Sequence, residues 1–224
     1  MAAADGGVWS FNDVMGEANE ANGFQAAHAI VNGEYEDAIG GGICQVATTV
    51  FNAAYEAGFP VTERRNHSLY ISSYPTGRDA AIAYPDLDLK WVNDSASDVL
   101  LRCRYTDTTL TVSLYGIDPG YTVTSETGEW TEGDPYRKRT KVDENEPEGT
   151  RYVKTAGADG RRVTVHRIVR DCAGTLLHEE DFPSNYAPID EVTVVGPNTP
   201  AVEEQESTED RETDKEDARV STGN

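Results

Sequence analysis

Gly40-Gly41-Gly42-Ile43-Cys44-Gln45-Val46-Ala47-Thr48-Thr49-Val50-Phe51-Asn52-Ala53-Ala54-Tyr55 joins a glycine run to the clearest helical pattern in the chain. Val46, Val50, Phe51, Ala54 and Tyr55 recur at helical spacing, and Gly58 followed by Pro60 supplies a stop, which predicts a helix from Ile43 to Gly58. Glycines open backbone conformations closed to other residues and let a substrate approach the main chain. The helix start aims unpaired N–H groups and the positive end of its dipole at the same spot. A thiol placed there has its thiolate stabilised and becomes nucleophilic near neutral pH. The same N–H groups suit the oxyanion of an acyl-transfer intermediate. The alternative is a packed structural cysteine behind a glycine turn, since glycine runs are common in loops. A phosphate cradle is set aside, because neither a Gly-Lys-Ser/Thr ending nor Gly-x-Gly-x-x-Gly spacing is present.

A cysteine nucleophile needs a base, and the chain has four histidines. His28 precedes the glycine run in an unpatterned segment, and His166 and His178 are distant from Cys44 in sequence. His67, in Asn66-His67-Ser68-Leu69, follows the helix by one short connection and is the candidate base. Asp79, in Pro75-Thr76-Gly77-Arg78-Asp79, is the first choice to orient it, with Asn66 and Glu63 behind. The competing readings are a surface histidine for His67 and a local turn ion pair for Arg78-Asp79. Gly41, Gly42 and Gln45 at the helix start, Ser68 beside the base, and Arg78 are the candidate oxyanion and substrate contacts. Three cysteines are too few for a disulfide framework. Cys103 reads as a small buried hydrophobe on a strand, and Cys172 as an exposed thiol in a hairpin turn. No Cys-x-x-Cys or histidine cluster points to zinc, and no metal or cofactor is expected.

Outward from the helix the chain alternates short strands with Gly, Pro, Asn and Asp turns. A hairpin turn is expected at Val31-Asn32-Gly33-Glu34-Tyr35. Strands are expected at Val61–Arg65, Leu69–Ile71, Ala80–Tyr84, Leu87–Val92, Val99–Tyr105 and Thr109–Tyr115. The fold class expected is α+β: one principal helix starting at Cys44, packed on a mainly antiparallel sheet and followed by a small all-β module. The expected divisions are a domain over 8–116, a charged connector over 117–148, the all-β module over 149–197 and a tail over 198–224. From Ala201 onward nine acidic residues stand against three basic ones with almost nothing apolar, so this tail is expected to be disordered. The hydrophobic share of 38% fits a chain of which part builds no core. A net charge of −21 repels phosphate backbones and argues against nucleic-acid binding. No apolar run approaches the length of a membrane span, and Met1 to Gly7 lacks a signal-type apolar core.

These segments resemble the VanW family. The likeness rests on Trp9-Ser10-Phe11-Asn12-Asp13-Val14-Met15-Gly16, on Ile39 to Ala54, on Arg65-Asn66-His67-Ser68-Leu69 and on Pro75 to Ala80, in the family's order and spacing. It covers about Val8 to Gly116. The family is named from a gene of glycopeptide-resistance clusters, and its members are bacterial surface proteins. The resemblance implies an extracytoplasmic, cell-wall location. It also implies a cysteine L,D-transpeptidase acting on peptidoglycan stem peptides, with Cys44 as nucleophile and His67 as base. The alternatives are a non-catalytic wall-binding module and a cysteine carboxypeptidase on the same stems. The segment 149–197 more loosely resembles the G-five module, which implies binding to wall glycan.

Overall fold

The computed structural model describes residues 1–31 and 34–199, with backbone alone for 28–31 and 34–36. In chain order the elements are β1 (Gly7–Ser10), α1 (Phe11–Met15), a 3-10 turn (Glu20–Asn22), β2 (Ala26–Val31), β3 (Glu34–Ile39), α2 (Ile43–Glu56), β4 (Val61–Glu63), β5 (Lys90–Asn93), β6 (Leu100–Tyr105) and β7 (Leu110–Tyr115). There follow β8 (Thr122–Thr127), β9 (Thr131–Glu132), β10 (Lys138–Val142), β11 (Arg151–Thr155), β12 (Arg161–Arg170), β13 (Leu176–Tyr186) and β14 (Glu191–Val195). Two compact units divide the chain: Met1–Gly133 with Gly160–Ala187, and Asp134–Asp159 with Pro188 onward.

The Trp-Ser-Phe-Asn segment anchors the first unit. Trp9 on β1 lies opposite Trp91 on β5, and their rings stack with centroids 5.9 Å apart. Ser10 caps α1 by accepting from the Asp13 N–H, while its own hydroxyl donates to the buried Asp88 carboxylate at 2.6 Å. The Asn12 N–H donates to the other Asp88 oxygen at 2.9 Å. A carboxylate taken out of water must be hydrogen-bonded to be tolerated, and these donors meet that need.

Helix α2 begins because Gly40 and Gly42 adopt φ of +81° and +86°, which ordinary side chains rarely reach. A Cβ on Gly40 would also lie 2.8 Å from the Ala18 side chain. The buried face of α2 (Ala47, Val50, Phe51, Ala54, Tyr55) packs in a core with Trp9, Phe11, Trp91, Val165 and Phe182. Its polar residues bind the returning chain. Thr48 Oγ1 accepts from the Ala80 N–H at 3.0 Å and donates to the Ala80 carbonyl, and Asn52 Nδ2 donates to the Arg78 carbonyl at 2.8 Å. Residues 78–82 therefore run along α2 tied by side chains.

Strands β12 and β13 form a long antiparallel hairpin that also pairs with β8 and β9. Its wedge into the core is Arg167, fully buried between the rings of Tyr55 and Phe182. The guanidinium donates to the carbonyls of Tyr55 (2.8 Å) and Phe59 (2.9 Å) and pairs with Glu180. A cation is thus placed at the C-terminal end of α2 and the turn after it, where the helix dipole favours it. In the second unit β14 lies between β10, parallel, and β11, antiparallel.

This architecture corrects the α+β expectation. The described chain is mostly β, 41% strand against 12% helix, with one helix of seven or more residues, so it is not a helix packed on a sheet. The strands fall into several small sheets. Alternation marks a strand but not its partner: β2–β3, β4–β5, β6–β7 and β12–β13 pair with the next strand in sequence, whereas β1, β8, β9, β10 and β11 pair with strands further along the chain. Leu69–Ile71 and Ala80–Tyr84 are not strands; in the second segment the backbone groups of Ala80 and Ile82 are engaged by Thr48 and Cys44 of α2. Cys103 is exposed rather than buried, and all three cysteines are free. The turn at Asn32-Gly33 and the acidic tail from Ala201 lie outside the described residues.

Candidate functional site

Cys44 occupies the first turn of α2, two residues after the Gly42 cap. The tether of residues 78–82 along α2 brings Ile82 against it: the Ile82 N–H donates to Sγ at 3.5 Å, and the thiol donates to the Ile82 carbonyl at 3.8 Å. His67 lies on the irregular run after β4, buried, with its ring stacked on Tyr74 and hydrogen-bonded to the Cys44 sulfur. Its Nδ1 bonds Asp79 Oδ2 at 2.6 Å, and its backbone N–H donates to the same oxygen at 2.7 Å. With Nδ1 committed to Asp79, Nε2 is the nitrogen left for Cys44. Asp79 Oδ1 accepts from the Tyr186 hydroxyl at 2.6 Å and from Arg64 at 3.1 Å.

The electrostatics follow from these contacts. Burial raises the Cys44 thiol, but the bond from His67, the Ile82 N–H and the imidazolium charge outweigh it and leave the pKa lowered. Burial pushes His67 down, but its bonds to Asp79 and Cys44 outweigh this and raise it to about 9. Burial acts against the Asp79 carboxylate, which His67, Tyr186 and Arg64 nevertheless hold below its usual range. Between the lowered Cys44 value and about 9 the pair is therefore a thiolate facing an imidazolium.

Two openings flank this pair. One is a cavity of about 530 Å³ lined by Gly40–Gly42, Gln45, Tyr74 and Tyr84 together with Cys44 and His67. The other, about 470 Å³, is lined by Arg65, Asn66, Ser68 and Asn185 beside the same two residues. Gly41, Gly42, Gln45 and Ser68 thus all border the cysteine. The N–H groups of Gly41 and Gln45 are already donated to Ala38 and Gly42 carbonyls. Among the described residues, those of Gly42 and Cys44 have no backbone acceptor, so they are the ones able to hold an oxyanion. Arg78 borders neither opening. It donates to Asn52 and Glu56 and lies 4.4 Å over the Tyr55 ring, so the structure does not bring it to the cysteine. Asn66 bonds Asn185, and Glu63 pairs with Lys90; neither meets the His67 ring. Tyr186, Tyr74 and the Ile82 backbone were not singled out from sequence. Tyr186 is 107 residues from Asp79, and no local pattern marks such a contact. No group of three or more His, Cys, Asp or Glu side chains among the described residues is placed to hold a metal.

Fold and site together define a mostly β protein carrying a Cys–His–Asp relay at a helix start. The chain belongs to the VanW family: the family described as "VanW like protein" matches residues 1–115. It is similar to YoaR of Bacillus subtilis (strain 168), itself described as uncharacterized, with 34% identity over 111 residues. That match takes in 50% of this chain and 37% of the relative, so the chain spans little more than a third of that protein. Solved structures with some likeness include the IgA1 protease G5 domain, 24% identical, covering 35% of this chain and 92% of that one, with a TM-score of 0.24. Another is HP0197-G5, 18% identical, covering 34% and 97%, with a TM-score of 0.19. TM-scores this low establish no shared fold.

Proposed function

We propose that this is a cell-wall-associated surface protein in which Cys44 transfers acyl groups between peptidoglycan stem peptides. The observation that carries the reading is the hydrogen-bonded line Cys44–His67–Asp79 opening onto two cavities. The thiolate adds to the carbonyl carbon that links an L-centre to a terminal D-Ala. The oxyanion formed falls in this reading to the Gly42 and Cys44 N–H groups, which have no backbone acceptor among the described residues. His67 Nε2 then gives its proton to the departing D-Ala amine as the C–N bond breaks, leaving a thioester on Cys44. An amine from a second stem attacks the thioester, His67 takes its proton, and the thiolate leaves with a new amide formed. Water in place of the amine makes the same site a carboxypeptidase. Disaccharide-tetrapeptide incubated with the protein should release D-Ala and yield cross-linked dimer by mass spectrometry. Full activity in Cys44→Ala would sink this reading.

A second reading needs family membership alone: a non-catalytic wall-binding module whose open cavity holds a stem peptide without cutting it. In that case the tetrapeptide binds in an equilibrium titration, no D-Ala appears, and Cys44→Ala binds as well as the parent.

A further inference from the structure

The family match ends at residue 115, yet the carboxylate that meets His67 is held from well beyond it. The end of β13 closes on the site through several bonds. The Tyr186 hydroxyl donates to Asp79 Oδ1 at 2.6 Å. Arg64, bonded to that same oxygen, also donates to the Pro183 carbonyl at 3.0 Å and to Ser184 Oγ at 3.1 Å. The Ala187 N–H donates to the Ser68 carbonyl at 2.7 Å, and Asn66 donates to the Asn185 carbonyl at 2.8 Å. Tyr186 is 2% exposed, and its ring meets Tyr70 edge-on at 5.4 Å, so its hydroxyl has little freedom.

A carboxylate free to turn about its last torsion would exchange Oδ1 and Oδ2. With Oδ1 bonded to Tyr186, Oδ2 stays with both N–H groups of His67. We propose that Tyr186 is a positioning residue for this relay, contributed by a hairpin outside the family match and acting on Cys44 through Asp79 and His67. The inference rests on the reading of Cys44 as a nucleophile paired with His67. Burial and the neighbouring Asp79 carboxylate raise the Tyr186 phenol above its ordinary value, so it stays a donor throughout the working range.

The test is the pH dependence of iodoacetamide alkylation, read at the Cys44 peptide by mass spectrometry so that exposed Cys103 and Cys172 do not contribute. Tyr186→Phe keeps the ring and removes the donor. Its alkylation midpoint should move up toward that of an ordinary thiol, with the rate at pH values below the parent's midpoint about tenfold slower, the scale of one hydrogen bond to a charged group. Val165→Ala thins the same hairpin's core without touching Asp79; it should lower Tm and leave the midpoint in place. A 3-fluorotyrosine at position 186, a stronger donor of nearly the same size, should leave the midpoint at or below that of the parent. A profile for Tyr186→Phe that superposes on the parent overturns the inference. So does an equal shift in Val165→Ala, or a rise with fluorotyrosine. D-Ala release is scored separately: its absence from the parent defeats the proposed activity, while a shifted midpoint in Tyr186→Phe still upholds the role of Tyr186.

Discussion

At the scale of residues, the charge state of Cys44 is set by partners that separate substitutions can remove. The lowered thiol and the histidine raised to about 9 place a thiolate–imidazolium pair between the two titrations. Alkylation of Cys44 should therefore gain its rate below the ordinary thiol value of 9.0 and change again near pH 9 as the imidazolium is lost. His67→Ala should return the midpoint to the range of free cysteine, which a rate–pH profile checks. Asp79→Asn breaks a buried ion pair with Arg64 and leaves His67 without its acceptor carboxylate. A loss of about 3–5 kcal/mol in urea unfolding is expected, as for other broken buried pairs. Unchanged stability would mean that Arg64 finds a new partner.

At the scale of elements, α2 is defined by its ends. Gly42→Ala places a side chain at φ +86° and should cost about 1–2 kcal/mol. Gly40→Ala carries the same backbone strain and adds a contact of 2.8 Å with Ala18, so it should cost more. Denaturant midpoints of the two variants give the order, and equal losses would count against the Ala18 clash. At the other end, Arg167→Met strips the cation from the Tyr55 and Phe59 carbonyls and leaves Glu180 unpaired. It should destabilise by about 3–5 kcal/mol, visible as a lower Tm. The start of α2 was legible because glycine, the stop at Gly58 and the apolar spacing are local signals. The path of residues 78–82 was not, because its bonds go to Thr48 and Asn52 on the helix instead of to a strand.

At the scale of the whole molecule, the relay's effect on stability has a definite pH window. His67, raised from 6.5 to about 9, contributes stability fully below 6.5 and loses it as pH rises through 9. Cys44, lowered from 9.0, contributes above 9.0 and loses it as pH falls through its lowered value. Below about 9, and above both 6.5 and the lowered Cys44 value, the two slopes cancel, since the pair holds one proton folded or unfolded. Stability from this pair should be level there. Asp79 is lowered from 3.8, so its contribution is present above 3.8 and disappears in acid. Thermal melts from pH 3 to 9 should fall at the acid end, and Asp79→Asn should shallow that limb. The first unit also depends on distant chain: Val165 and Phe182 sit in one core with Phe51 and Tyr55. A chain ended at Gly116 should lose cooperative melting, which calorimetry would show.

The sequence alone determined what depends on near neighbours: the glycine start and apolar face of α2, the chemistry of a thiol placed there, and the alternation of most strands. Folding decided what depends on distance in space. It chose Asp79 over Asn66 and Glu63 as the partner of the His67 ring, kept Arg78 on Tyr55 and away from the cysteine, and brought Tyr186 to Asp79. It also sorted the strands into several small sheets where one sheet behind a helix was expected. The reason is physical: periodicity records which face of an element is apolar, whereas hydrogen-bond partners 107 residues apart are selected by packing of the whole core.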